Sequence, residues 1–395
     1  MLRTLALVQA LDEQFELTVL ALRRPGQDAR GFAELLRGQV HYVRAGSKLY
    51  DVASEIESVC SGKPVGYRRY AFTPEILTRI LLRKRYDVIH FDHPHTALLL
   101  PLVRRLQPEA RLVLDAHNVE ARIIERLAQT APLAKRPLLR LQARRVQKLE
   151  AEVARKVDAV LTCSQIDAAE FSRLGARKVR VLPNSIPARS GKGQIDRRDL
   201  LFVGSLDWRP NADAAYKLGA EIWPMCQDAL APARLVLVGR NPPPRIKALA
   251  SDSVLVTGGV ERVGPYLRSA KATAIPLRVG SGTRIKILES WAAGVPVVAS
   301  RVAAEGLPYR DGRDLLIAET TEEFAQALAR IWRDPALAAR LAEAGRSSAE
   351  PFTQLHIAAQ LVHFYREGLS RSGPRAAEEA SAYSRAYSDA MASTP

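Results

Sequence analysis

The residues best placed to do chemistry lie in "AIPLRVGSGTRIKILESWAAGVPVVAS", residues 274–300. Gly280 and Gly282 permit tight backbone geometry after an apolar run, and Ser281 or Thr283 can cap the helix that follows. A helix start with unsatisfied N–H groups attracts anions, diphosphates included. Gly282, Lys286 and Glu289 are separated by four and three residues, so on a helix they share one face, while Arg284 points away from it. That face offers backbone donors, then an ammonium, then a carboxylate. The order suits the phosphates and then the ribose hydroxyls of a nucleotide. A solvated Lys–Glu helix pair fits the same spacing with less consequence. There is no GxxxxGK[ST] loop, and "GSGTRI" lacks the third glycine of a dinucleotide fingerprint and lies in the second half of the chain. Both misses count against a nucleoside triphosphatase and a dehydrogenase.

Such a loop works only if strands position it. Twelve apolar runs recur along the chain: "ELTVLAL", "QVHYVRA", "DVIHFD", "RLVLDAH", "VDAVLTC" and "VRVLPNS", then "LLFVGSL", "RLVLVGR", "VLVTGGV", "ATAIPL", "VPVVAS" and "DLLIAE". Most are nearly continuous, as strands buried on both faces are, and many are separated by helical patterns. The alternation predicts α/β architecture with two parallel, doubly wound sheets. The polar stretch "PARSGKGQIDRRD" separates them. The expected organisation is a first domain over 1–186, a linker over 187–199, a second domain over 200–351, a further helix over 352–369 and a disordered tail over 370–395. A doubly wound domain normally opens on a strand and a loop. This chain opens on a helical pattern, Leu5, Val8, Leu11 and Phe15, so the first strand of the N-terminal domain is expected to be missing.

The bulk composition narrows the classes. Hydrophobic residues at 47% and charged residues at 25% mark a globular chain. Cys60, Cys163 and Cys226 are far apart with no CxxC, which favours a reducing cytoplasm over a disulfide framework or a structural zinc. The apolar run 97–103 is broken by Pro101 and is too short to span a bilayer, and the start reads as no signal peptide. The formal charge of +16 admits nucleic acid, anionic lipid or an anionic small substrate as partner, or simply a solvated surface. Aromatic residues at 6%, not interleaved with the cations, argue against nucleic acid. The helical segment 135–156 carries eight Lys/Arg against two Glu, with Val146, Leu149, Val153 and Val157 as its apolar stripe. It reads as a helix packed on the sheet, with a headgroup-binding face as the alternative.

Several blocks together carry a resemblance: "VGSLDWRPNADAAYKL", "LVLVGR", "GGVERVGPYLRSAKATAIPLRVGSGTRIKILESWAAGVPVVAS" and "EGLPYRDGRDLLIA". They resemble the donor-binding domain of the retaining GT-B glycosyltransferases of family 4. "DVIHFDHPHTALLLP", "VLDAHNVEARIIERLA" and "VLPNSI" are similar to the N-terminal domain of that family, and the nearest look is to sugar transferases of bacterial exopolysaccharide clusters. The likeness covers roughly the first nine-tenths of the chain. It implies two Rossmann-like domains facing a cleft, a nucleoside diphosphate sugar as co-substrate, and a hexosyl group transferred with retention to a glycan or lipid-linked acceptor. No metal and no further cofactor are implied. The setting would be polysaccharide or glycoconjugate synthesis in the cytoplasm, at the inner face of the membrane.

Position by position, the resemblance gives Glu289 to the donor ribose, and Gly282 with Thr283 to the donor phosphate and sugar. Gly204 matches the glycine after the first donor-domain strand, Val260 and Glu261 match the base-binding turn, and His117 matches the histidine near the reacting sugar. A histidine hydrogen-bonded at a strand end fits His117 nearly as well; His93 and His95 are weaker candidates. Lys286 and Arg284 would meet charge on the leaving diphosphate. Three departures stand out. Ser281 occupies a position where relatives carry a second glutamate. "GSLDWRPN" lacks the usual Arg and Lys, leaving Arg209 as a stand-in. The glycine-rich first loop belongs with the missing strand, which puts activity in question. The alternatives are a non-hydrolysing sugar-nucleotide epimerase of the same fold and an inactive membrane-surface binding protein.

Overall fold

The computed structural model describes residues 2–23, 30–44, 74–186, 197–279 and 285–369. Within them the chain divides into two compact units. One takes the residues up to Pro183 and the last helix from Ala358 onward; the other takes Asn184–Ile357. The proposed linker (except residues 197–199), the loop 280–284 and the tail from 370 lie outside the described residues.

Each of the twelve apolar runs contains a strand. In the first unit these are β1 (Thr18–Arg23), β2 (Gln39–Arg44), β3 (Val88–Asp92), β4 (Arg111–Ala116), β5 (Ala159–Thr162) and β6 (Val179–Val181). In the second they are β7 (Asp199–Val203), β8 (Leu235–Val238), β9 (Val254–Gly258), β10 (Ala270–Ile275), β11 (Val297–Ala299) and β12 (Leu316–Ile317). The second unit is one six-stranded sheet, order β12-β11-β10-β7-β8-β9, with every pairing parallel. This is the doubly wound order, and the chain reverses direction across the sheet between β7 and β10. Ligands of such sheets bind beyond the carboxyl ends of the strands at that switch point.

The first unit differs. It begins with helix α1 (Leu2–Asp12), and among the described residues its strands form two separate parallel sheets, β1-β2 and β3-β4-β5-β6. β4 and β5 are almost wholly buried, whereas β1 and β3 are mostly half-buried despite equally apolar sequences. Among the described residues each pairs with one neighbour, β1 with β2 and β3 with β4. The buried face of α1 also departs from expectation. Arg3, Leu7, Ala10 and Leu11 face inward, while Leu5, Val8 and Phe15 are half-buried. The helix is turned to deliver the Arg3 charge to a buried partner.

The remaining helices that matter are α2 (Pro74–Arg83), α3 (Leu100–Leu106), α4 (Glu120–Thr130), α5 (Arg136–Lys156), α6 (Gln165–Arg173), α7 (Arg209–Tyr216), α8 (Trp223–Leu230), α9 (Ile285–Ala292), α10 (Thr321–Arg333), α11 (Pro335–Ala349) and α12 (Gln354–Leu369). In the second unit, strand alternation sorts side chains to the two faces. Leu200 and Phe202 of β7 join Leu235 and Leu237 of β8 in a core with Trp223 of α8, Trp291 of α9, and Phe324 and Leu328 of α10. Leu201, Val236 and Val238 point the other way, onto Leu267 and Val295. Each fully buried leucine contributes about 1.5–3 kcal/mol relative to exposure. Trp291 is fixed as well as buried: its Nε1–H donates to the Asp314 carbonyl at 2.9 Å. α9 stops at Gly294, whose φ of +62° favours glycine. The Val295 N–H donates to the Ser290 carbonyl at 2.8 Å, and Arg197 donates to the carbonyls of Ala293 and Gly294 at 2.6 Å each.

In the first unit, Leu112, Leu114 and Val160 pack with Phe91, Val103, Val153 and Phe171. Val146, Val153 and Val157 of the predicted α5 stripe are buried. Among the described residues no helix is long and apolar enough to cross a membrane.

Candidate functional site

Two groups of chemistry-bearing residues stand out, one in each unit. In the second unit the group lies at the switch point. Gly204 follows β7, its N–H donating to the Val238 carbonyl at 2.9 Å. A Cβ at Gly204 would lie 2.9 Å from Lys286 Cε and 3.0 Å from Asn211 Cγ. A side chain at this position would force Lys286 or Asn211 to shift. Asn211 in turn donates to the Ser205 carbonyl at 2.9 Å. Ser205 donates to Asp207 at 2.6 Å, Arg240 Nε donates to Ser205 Oγ at 2.7 Å, and Asn241 donates to Asp207 at 3.2 Å. These bonds fix the turn after β7, and the hydroxyl and amide donors around Asp207 hold its carboxyl below the usual range.

Glu289 lies one turn along α9 from Lys286 and is half-buried. Burial pushes its carboxyl above the ordinary value while the Lys286 charge opposes the shift. A carboxylate kept partly from water accepts hydrogen bonds from ligand hydroxyls more strongly than a solvated one. The structure therefore brings Gly204, Lys286 and Glu289 together. Arg209 is exposed at the first position of α7. Val260 packs against the cluster containing Leu201 and Val238, in the turn after β9, and Glu261 beside it is exposed. Ser281, Gly282, Thr283 and Arg284 lie outside the described residues, immediately before α9.

In the first unit, His117 follows β4 and lies beside two carboxylates. Its Nε2 is 2.8 Å from Asp92 Oδ1 and 3.4 Å from Asp115 Oδ2. Asp115 is fully buried and also receives Arg3, whose Nη2 and Nε donate at 2.7 and 3.0 Å. Arg3 Nη1 donates to the carbonyls of Leu182 and Pro183 at 2.8 and 3.0 Å. Burial alone would lower the imidazole, but hydrogen bonds and charge from Asp115 and Asp92 push it up to about 9. His117 is thus an imidazolium at neutral pH, a donor and a charge rather than a base. Burial and the neighbouring His117 charge push His93 down to about 4.

His93 has a φ of +72°, an uncommon conformation for a residue with a side chain. Its ring lies 3.9 Å from that of His117 and stacks on His95 at 5.1 Å between centroids. Glu120 approaches His93 Nδ1 at 3.7 Å and His95 Nδ1 at 3.9 Å. His93, His95 and Glu120 lie close enough to share a cation. The two rings are only 16° from parallel. Asp92 and Asp115 are already balanced by His117 and Arg3. Arg3, Asp92 and Asp115 were not anticipated from sequence. The signal was an aspartate inside the otherwise apolar "RLVLDAH", which demands a buried cationic partner.

Comparison with known proteins agrees with this layout. Residues 3–189 match the model of Glycosyltransferase Family 4, and residues 197–334 match that of Glycosyl transferases group 1. A D-inositol 3-phosphate glycosyltransferase of Acidothermus cellulolyticus is 28% identical over 251 residues, 56% of each chain, so the match spans about half of that relative's length. An MMP alpha-(1->4)-mannosyltransferase of Mycolicibacterium hassiacum is 27% identical over 74% of each. Among solved structures, a sucrose-phosphate synthase of Thermosynechococcus elongatus superposes with a TM-score of 0.70 at 19% identity, covering 93% of this chain and 92% of its own. Anabaena HepE in complex with UDP-glucose gives 0.60 at 15% identity over 93% and 95%. These two share the fold, two Rossmann-like units of GT-B type. With its two matched regions running through both units, the chain belongs to the group 1, family 4 glycosyltransferases.

Proposed function

We propose that the protein transfers a hexosyl group from a nucleoside diphosphate sugar to a hydroxyl of a glycan, polyol or lipid-linked acceptor, with retention of anomeric configuration. The observation that carries this reading is the crossing of Lys286 over Gly204 at the switch point, with half-buried Glu289 one turn further along α9. An ammonium followed by a carboxylate on one helix face suits a diphosphate and then its ribose. The names of relatives support the same substrate classes: inositol phosphate, phosphatidyl-inositol and UDP-glucose appear among them.

In the reaction the bond from the sugar C1 to the diphosphate oxygen breaks, and C1 bonds the acceptor oxygen on the same face. The leaving phosphate takes the acceptor proton. Negative charge grows on the diphosphate as it departs, so fixed positive charge and N–H donors aimed there lower the barrier. Lys286 supplies that charge with the α9 N-terminus, Arg284 and Arg209 serve as further cations, and no resident cofactor is required. Val260 and Glu261 flank the base, and His117 contributes an imidazolium rather than a base toward the reacting sugar. The setting is glycoconjugate or polysaccharide synthesis in the cytoplasm.

A thermal-shift panel of nucleoside diphosphates and their sugars tests the donor site, because a ligand that binds the folded state alone raises its melting temperature. The wild-type protein is expected to respond to one base, and Glu289→Ala to lose that response. A Glu289→Ala protein that binds nucleotide as tightly as wild type would sink the assignment.

A further inference from the structure

Three leucines lie on the surface where α5 begins. Leu133, Leu138 and Leu141 are 76%, 55% and 44% exposed. The helix buries another face, through Ala143, Val146, Ala151, Val153 and Ala154. Pro137, Leu141, Arg144 and Lys148 follow one another at spacings of four, three and four, and all are exposed, so they form a single outward stripe. From Leu133 to Lys148 the sequence has six Lys/Arg and no Asp or Glu. Acidic residues return only at Glu150, which is buried, and at Glu152, which pairs with Lys156 at 2.5 Å. The excess of positive charge and the exposed leucines therefore coincide on the first half of the helix.

Each plain class of partner meets one of these features and not the other. A solvated face accommodates the cations but leaves three leucines in water. An apolar protein surface would cover the leucines but strand the cations. Nucleic acid would take the cations, yet it stacks its bases on aromatic rings, and residues 133–148 contain none. Leucines flanked by cations suit the boundary between headgroups and acyl chains of an anionic bilayer.

We propose that this arm is a membrane-docking edge: Leu133, Leu138 and Leu141 enter the acyl boundary while Lys135, Arg140, Arg144 and Lys148 meet headgroup phosphates. The helix lies on the bilayer and does not cross it. The inference goes beyond the donor reading and does not depend on it.

Co-sedimentation of the full chain with phosphatidylcholine vesicles, with and without phosphatidylglycerol, tests it at low and high salt. The wild-type protein is expected to pellet with the anionic vesicles at low salt and to release at high salt. Leu133→Ser/Leu138→Ser/Leu141→Ser keeps every cation and should bind at least about tenfold more weakly. Arg140→Ala/Arg144→Ala/Lys148→Ala should lose about a hundredfold, at roughly fivefold per cation. Both variants change exposed positions and should keep the wild-type melting temperature and its response to nucleoside diphosphate. Equal recovery on neutral and anionic vesicles, full binding by the leucine variant, or retention on RNA but not on vesicles would each overturn the proposal. Absent vesicle binding with an intact nucleotide response overturns docking alone. The reverse pattern overturns the donor site alone.

Discussion

Replacing Arg3 by methionine should destabilise the first unit more than any exposed substitution. Among the described residues the guanidinium makes four hydrogen bonds, two to Asp115 and one each to the carbonyls of Leu182 and Pro183. Arg3 is 5% exposed and Asp115 is fully buried, so water cannot replace what is lost. Methionine fills most of the stem volume and leaves the Asp115 carboxylate with His117 as its remaining cation. Breaking a buried pair by removing one partner costs about 3–5 kcal/mol. For a unit of this size that lowers the melting temperature by about 6–20 °C. The pH dependence carries a sign. Arg3 and His117 hold Asp115 well below the ordinary carboxylate range. Its contribution is therefore present above the unfolded carboxylate value and lost only as pH falls through the depressed folded value. Without Arg3 the folded value rises and the unit should melt in milder acid. Calorimetric scans from neutral to acid pH, on Arg3→Met with and without Asp115→Asn, measure both effects. The cost of Arg3→Met should fall by at least about half in the Asp115→Asn background, because the stranded charge is gone. A cost below about 1 kcal/mol in the wild-type background would refute the reasoning, since an exposed pair would do as much.

Other consequences follow from the two groups. Burial pushes Glu150 up to about 8; one of its oxygens accepts from the Glu120 N–H, and the other, among the described residues, has no partner. A raised carboxyl stabilises the fold while protonated, so this contribution is full below the unfolded value near 4.5 and declines by about 1.4 kcal/mol per pH unit toward 8. Urea titrations should show Glu150→Gln gaining on wild type across that window. His117, raised to about 9, stabilises fully below its ordinary 6.5, and that contribution is lost as pH rises through 9. Asp92→Asn should move its titration, followed by NMR, toward neutrality. Gly204→Ala sets a methyl against Lys286 and Asn211, and calorimetric titration should show nucleoside diphosphate affinity reduced by about tenfold or more with the fold retained.

The strands were legible because parallel strands buried on both faces must be continuously apolar, and the Lys286–Glu289 face was legible because helical spacing is fixed. Ion pairs that join distant segments were not. Arg3 and Asp115 are 112 residues apart, and no local pattern marks them as partners. The burial of α1 was misjudged for the same reason: Leu5 and Val8 have helical spacing, but the helix is oriented by Arg3. Glu150 was read as one of two acids on a basic helix, whereas tertiary packing places it against the start of α4. The exposed leucines of α5 were equally hidden, since sequence shows that a residue is apolar and not which way it faces.

The placement of the tryptophans gives the two units different optical signatures. All four, Trp208, Trp223, Trp291 and Trp332, lie between Asn184 and Ile357, and Trp223 and Trp291 are almost wholly enclosed. Emission excited at the indole band therefore reports the second unit alone. Its spectrum follows loss of the core around α8 and α9. A fluorescence melt of Arg3→Met should keep the wild-type transition of the second unit while calorimetry registers the lost stability of the first.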